Sequence, residues 1–185
     1  FDEIRLQDGC LPRPLELVDV PIVEREHEPT QPENWFIDMG KPWKRTGEWG
    51  RDIAERVVEE PKSLWVEPGI KTDRATDAYI RSLPNLQSLY LIRPKDFTIQ
   101  IQTKTWNGEQ HKQQRAVFLY KRKEYNLSLT DPIALDKYCP NSIHMDDQVI
   151  HPNCGDRCLL CVSLTPEFGE QEYHYKVVAS VIELT

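Results

Sequence analysis

Eight basic residues stand between Arg93 and Lys123, against two acids, Asp96 and Glu109. Phe97, Trp106, Phe118, Tyr120 and Tyr125 are interleaved with them or follow directly. Cations mixed with aromatic rings suit a single-stranded nucleic acid: the cations neutralise phosphates and the rings stack on bases. Arg93, Lys95, Lys104, Lys112, Arg115, Lys121, Arg122 and Lys123 are therefore the candidate phosphate contacts. Trp106, beside the Asn107-Gly108 turn signal and flanked by Lys104 and Lys112, is the candidate stacking residue. Phe118 and Tyr120, at strand spacing, read as core. The competing reading of the same cations is a solvated strand face that pairs with the acidic ends of the chain.

Two other constellations bear on chemistry. Cys154, Cys158 and Cys161 follow Cys139, His144 and His151. Thiolate and imidazole ligands at short spacing can hold zinc tetrahedrally, so Cys139, His144, Cys154 and Cys158 form a candidate zinc set. Against it, Cys158–Leu164 has the apolar content of a buried strand, residues three apart in a strand point to opposite faces, and a free Cys commonly packs as a small apolar residue. The acidic pair Asp146-Asp147, with His144 and His151 on either side, is the kind of cluster a metal-dependent nuclease uses. In a polar loop such a pair is otherwise simply solvated. Nucleophile elbows, phosphate-binding glycine loops, His-Glu-x-x-His and dinucleotide fingerprints are all missing from the sequence. A non-enzymatic role without a resident cofactor is the expectation.

The elements that must carry these residues divide into two stretches. Six prolines between residues 11 and 42 exclude a long helix there. Leu15, Leu17, Val18, Val20 and Ile22 suggest one strand, and Trp35-Phe36-Ile37 an apolar anchor after an extended loop. Trp49, Ile53 and Val57 recur every four residues and predict a helix over 48–60, stopped by Pro61. A second helix is predicted from Asp73 to Arg81. From Ser88 the period changes to two. Phe97, Ile99 and Ile101, then Ala116, Phe118 and Tyr120, then Tyr125, Leu127 and Leu129 predict a three-strand meander. Its turns lie at Asn107-Gly108 and Lys121–Glu124. Two further strands are predicted at Cys158–Leu164 and Tyr173–Ile182, after a polar loop over 136–157, with their connection around Gly169. Pro84 marks the expected boundary, dividing the chain into 1–84 and 85–185.

Charge sharpens this division. The chain of 185 residues has a net charge of −7. Residues 1–60 hold 8 basic and 15 acidic residues, residues 61–130 hold 12 and 6, and residues 131–185 hold 3 and 9. A polyanion responds to the local field, so a basic middle between acidic ends remains able to bind one. No run of 18 apolar residues occurs, which leaves no candidate transmembrane helix. Five cysteines, an odd number without a dense framework, fit a reducing cytoplasm.

The order of several segments resembles the dual OB-containing domain, a prokaryotic module of two oligonucleotide-binding-like barrels. They are Gln31–Asp38 (QPENWFID), Ser88–Ile92 (SLYLI), Arg115–Phe118 (RAVF), Tyr125–Pro132 (YNLSLTDP), Cys161–Leu164 (CVSL) and Tyr175–Ala179 (YKVVA). The resemblance implies a mainly β fold of two small OB-like barrels with one or two short helices. It also implies a nucleic-acid-binding role, often beside antiviral or mobile-element genes, and names no catalytic residue. By comparison with the family, a strand pair is expected ahead of Leu6, so the first barrel would begin before Phe1. The functional expectation is a nucleic-acid-binding or scaffolding module for single-stranded DNA or RNA. The alternatives are a protein–protein adaptor with acidic surfaces and a metal-dependent nuclease.

Overall fold

The computed structural model describes residues 5–140, 146–155, 157–168 and 172–184, and within them not the side chains of Arg51, Ile53 and Trp106. The fold is mainly β. In chain order its elements are β1 (Glu16–Asp19), β2 (Ile22–Arg25), β3 (Trp35–Ile37), β4 (Lys44–Glu48), α1 (Arg51–Arg56), β5 (Arg74–Thr76), α2 (Asp77–Ser82), β6 (Leu89–Ile92), β7 (Lys95–Trp106), β8 (Glu109–Tyr120), β9 (Lys123–Leu129), α3 (Pro132–Tyr138), β10 (Gln148–Ile150), β11 (Cys158–Phe168) and β12 (Tyr173–Glu183).

One sheet dominates, with strand order β10-β7-β8-β9-β12-β11-β6 and β5 on the side of β12. The meander is built as the alternation predicts. Phe97, Ile99, Ile101, Ala116, Phe118, Tyr125, Leu127 and Leu129 are all buried. Both turns have two consecutive residues at positive φ: Asn107 and Gly108 at 51° and 82°, Lys121 and Arg122 at 47° and 67°. That conformation matches the twist of the flanking strands, and the second turn adopts it without a glycine.

The return of the chain is longer-ranged. β9 and β12 run parallel, with Val177 opposite Ser128 and Val178 opposite Leu129. A parallel pair needs a crossover, supplied here by α3, β10 and β11. α3 starts where Asp131 Oδ1 accepts the N–H groups of Ile133 and Ala134, with Pro132 in its first turn. Asp131 Oδ2 also accepts the Val181 N–H at 2.7 Å, which ties the helix start to β12. β6, at one end of the strand order, and β7, next to β10 at the other, are one stretch of chain interrupted only by Arg93-Pro94. Pro94 lacks an N–H, so the ladder breaks there and the two halves pair with different neighbours, β6 with β11 and β7 with β8.

Ahead of this sheet lie two ribbons of two strands each, β1 with β4 and β2 with β3. The single strand expected over Leu15–Ile22 is split at Pro21, whose carbonyl accepts the Asp38 N–H. The helix predicted over 48–60 is shorter, Arg51–Arg56, because β4 extends to Glu48 and Gly50 offers no side-chain cap. Among its described side chains Ala54 is the buried one, and Val57, just past its end, is exposed. Glu59 is drawn toward β6 instead: its N–H donates to Leu91 O at 2.7 Å and its Oε2 accepts from Leu91 N at 3.0 Å. The second predicted helix begins at Asp77, since Arg74–Thr76 pair with β12 as β5. α3 is a third helix, not expected from the sequence, whose last turn enters the region expected to be loop. Leu64, Trp65, Ala75 and Ile80 from residues 61–83 pack in the same core as the large sheet.

Candidate nucleic-acid interface

Strand register decides which predicted cations share a face. Across the sheet, Gln100 pairs with Arg115 and Arg115 with Ser128, while Ser128 pairs with Val177. These side chains leave the face opposite the core. Gln102 and Lys104 continue the row along β7.

Arg115 is the centre of this face, but it is not a free cation. It is buried, with Nε donating to Asn126 Oδ1 at 2.7 Å and Nη1 to Ser128 Oγ at 2.8 Å. Nη2 donates to the Asn126 carbonyl and stands 3.6 Å from Asp73 Oδ2. Arg115, expected as a phosphate contact, is thus an anchored guanidinium beside the 71–74 segment.

That segment supplies cations that sequence spacing did not place here. Lys71, Thr72 and Asp73 join Gln102, Lys104, Arg115 and Asn126 around a pocket of about 280 Å³. Burial lowers the Lys104 pKa, and the Arg115 charge adds to the shift. Burial also lowers that of Arg115, which Asp73 partly offsets. For Asp73 burial acts to raise the pKa, but hydrogen bonds and charge from Arg74, together with Arg115 and Lys71, hold it below the ordinary carboxylate range. Arg74 and Asp73 are in contact at 2.9 Å. Four cations therefore surround one carboxylate. Among the described residues, the Lys71 and Lys104 ammonium groups have no hydrogen-bond or ion-pair partner.

The other predicted cations lie elsewhere. Lys95 pairs with Leu119, and Lys104 with His111, at opposite ends of the β7–β8 hairpin. Nine residues of strand separate them by roughly 30 Å. Arg93, Lys95, Lys121 and Arg122 line a larger cleft of about 600 Å³, and Glu55, Glu59 and Glu60 line it with them. Arg93 is 3.5 Å from Glu55, and Lys121 Nζ donates to Glu60 O at 2.9 Å. A cleft with acids facing its cations is a poor track for a polyanion. Lys123 is exposed at the same turn. Lys112 is held at the other end by Asp147 Oδ1 at 2.9 Å and Thr103 Oγ1 at 2.7 Å. The Trp106 side chain lies outside the described residues.

The metal constellations are not assembled among the described residues, where no group of three or more His, Cys, Asp or Glu is placed to hold an ion. Cys139, Cys154 and Cys158 are buried in the main core, and burial pushes the Cys139 and Cys154 thiols up. His144 lies outside the described residues. Asp147 is bound by Thr103 N and Oγ1 and by Lys112, while Asp146 and His151 are exposed.

The meander, the parallel β9–β12 pair and the short helix α3 between β9 and β11 are consistent with an OB-like fold, with the strand order of the described residues running as a path from β10 to β6. The chain belongs to the family described as Dual OB-containing domain, whose model matches residues 1–181. No curated protein and no solved structure matches the chain. No helix among the described residues is long and apolar enough to cross a membrane.

Proposed function

We propose that this protein is a non-catalytic nucleic-acid-binding or scaffolding module that holds a phosphate backbone against the outer face of β7, β8 and β9. The observation that carries this is the pair of unpartnered ammonium groups, Lys71 and Lys104, beside the anchored Arg115. Neither makes a hydrogen bond or ion pair among the described residues, Asp73 attracting both only at longer range, and an approaching phosphate relieves the crowding of the four cations. Membership of the Dual OB-containing domain family supports a nucleic-acid ligand, and the antiviral or mobile-element setting follows from the resemblance noted above. No disulfide joins the cysteines among the described residues, which supports a cytoplasmic location.

The test is a filter-binding titration with single-stranded DNA, RNA and duplex at two salt levels. Binding should fall steeply with salt, and Lys71→Ala and Lys104→Ala should each reduce the log–log salt slope by about one. Binding that is flat with salt overturns the proposal.

A second reading, a protein adaptor, has its own observation. β2 and β3 leave Ile22, Val23, Trp35 and Phe36 exposed, with Met39 beside them. Glu24 and Glu26 lie in or next to the ribbon, so a basic segment with apolar anchors is the complementary partner. Titration with an amphipathic basic peptide tests it. Trp35→Ser with Phe36→Ser should abolish binding if the reading holds, and unchanged binding rejects it.

A further inference from the structure

Phe168 is 72% exposed, the most exposed large apolar side chain among the described residues. It stands opposite Tyr173 in the β11–β12 ladder, and Tyr175 is two residues further along β12. Arg74 pairs with Tyr175 across β5 and β12. Directly opposed residues, and residues two apart, share a face. Phe168, Tyr173, Tyr175 and Arg74 therefore project together. Val177 and Ser128 continue that face to Arg115, so it is also the face of the cationic pocket. Two strand spacings, about 10 Å, separate Val177 from Arg115, and Tyr173 lies four residues, about 13 Å, further along β12.

The four side chains form a built surface. The Arg74 guanidinium carbon lies 4.9 Å from the Tyr175 ring centre and 5.6 Å from that of Tyr173. Tyr175 meets Phe168 and Tyr173 edge to face, each at 6.5 Å. Arg74 is fixed in turn by Asp73, which reaches Arg115 in the pocket. The rings of Tyr173 and Tyr175 are thus packed, while that of Phe168 is supported from one side and bare on the other.

We infer that Phe168, backed by Tyr175, Tyr173 and Arg74, is a stacking platform for one unpaired base of a strand whose phosphates a few nucleotides along lie in the Lys71–Lys104–Arg115 pocket. This rests on the phosphate-binding reading above and specifies its ligand as a single strand. The chemistry is that of the pair of subsites. A bare ring face beside a cluster of cations fits a ligand that is flat and aromatic at one point and anionic a short distance away. An apolar peptide offers the first property without the second. A duplex offers the second, but keeps its base faces inside its own stack. A single-stranded nucleotide offers both, and stacking tolerates any base because every base has a π face.

The experiment uses the full chain and two probes of equal length, oligothymidine and a fully abasic strand with the same number of phosphates. Oligothymidine should bind about tenfold more tightly, within the range that one stacked base supplies. Phe168→Ala should remove most of that difference and leave abasic binding and the salt slope unchanged. Phe168→Tyr should restore it. As Phe168 is exposed, neither substitution is expected to disturb folding, which thermal melts verify. Equal affinity of the wild-type chain for the two strands overturns the platform, as does a Phe168→Ala variant that keeps the full preference. If salt-sensitive binding of both strands survives those outcomes, the phosphate reading stands alone. If neither strand binds, both inferences fail.

Discussion

Arg115 stands 3.6 Å from Asp73, and this contact joins the middle of the β meander to a segment more than 40 residues earlier in the chain. It divides the cations of the face into two kinds. Arg115 and Arg74 are internally bonded and shape the surface, whereas Lys71 and Lys104 have no hydrogen bond or ion pair among the described residues. A charge can be basic in the sequence and unavailable in the fold.

Arg115→Ala should therefore act on stability. It removes one cation from beside Asp73, which keeps Arg74, and leaves Asn126 and Ser128 without their donor. Buried acceptors left without their donor cost about 1–3 kcal/mol. Lys104→Ala should change stability by no more than about 0.5 kcal/mol, since it removes an exposed side chain without a partner. Urea unfolding of the two variants checks this. Equal effects would remove the distinction between framework and contact.

Asp147 predicts an acid limb. Hydrogen bonds from the Thr103 hydroxyl and N–H, followed by the Lys112 ammonium, hold its pKa at about 2. In the unfolded chain an Asp titrates near about 3.9. The folded value is lower, so the contribution is complete above the unfolded value and is lost as pH falls toward about 2. The site is at the protein surface, so the effect is screened by salt. Urea midpoints between pH 5 and 2 should fall less steeply for Asp147→Asn than for the wild type. Parallel curves would show that the contact contributes nothing.

The meander was legible because each of its strands declares itself locally. The Phe97-Ile99-Ile101 alternation and the Asn107-Gly108 turn need no distant partner to be read. The candidate site was legible only in part, through Lys104 and Arg115. Lys71 and Arg74 were hidden because 73–81 carries helical periodicity, while Arg74–Thr76 is recruited as a strand by β12 about 100 residues later. Phe168 was hidden for a related reason. Its apolar run reads as ending at Leu164, and only pairing with Tyr173 extends the strand to bring its ring beside Tyr175. Lys121 and Arg122 misled in the opposite sense, because no local signal shows that Glu55 and Glu60 fold back against them.

Thiol reactivity should separate the five cysteines. Cys10 is exposed, whereas Cys139, Cys154 and Cys158 are buried. Burial pushes Cys161 up to about 11, with Glu59 and Asp131 adding to it. The thiolate is the reactive form, so a neutral aromatic disulfide reagent at pH 7.5 should titrate one thiol rapidly, and Cys10→Ser should abolish that phase. Rapid reaction of three or more thiols in the native protein would contradict the packing of the cysteine segment.

Lys176 offers the most diagnostic pH dependence. Its side chain is inside the fold, 1% exposed, and its Nζ donates to Thr72 O at 3.1 Å. Burial lowers its pKa to about 8, with Asp73 and Glu67 opposing the shift and Lys123 adding to it. The unfolded value is near about 10.4, so between the two the native state has lost a proton that the unfolded state keeps. Raising the pH through that interval favours the native state. Lys176→Met should then be more stable than the wild type near pH 7, by an amount on the order of 3 kcal/mol less the value of the lost hydrogen bond. The advantage should shrink as pH rises from 8 toward 10. The raised thiols of Cys139, Cys154 and Cys161 act in the opposite direction over the same range, because the unfolded chain ionises them first. They are common to both proteins, so the difference between the two unfolding curves isolates Lys176. A difference that stays constant from pH 7 to 10 would mean that the ammonium reaches water and is not desolvated by the fold.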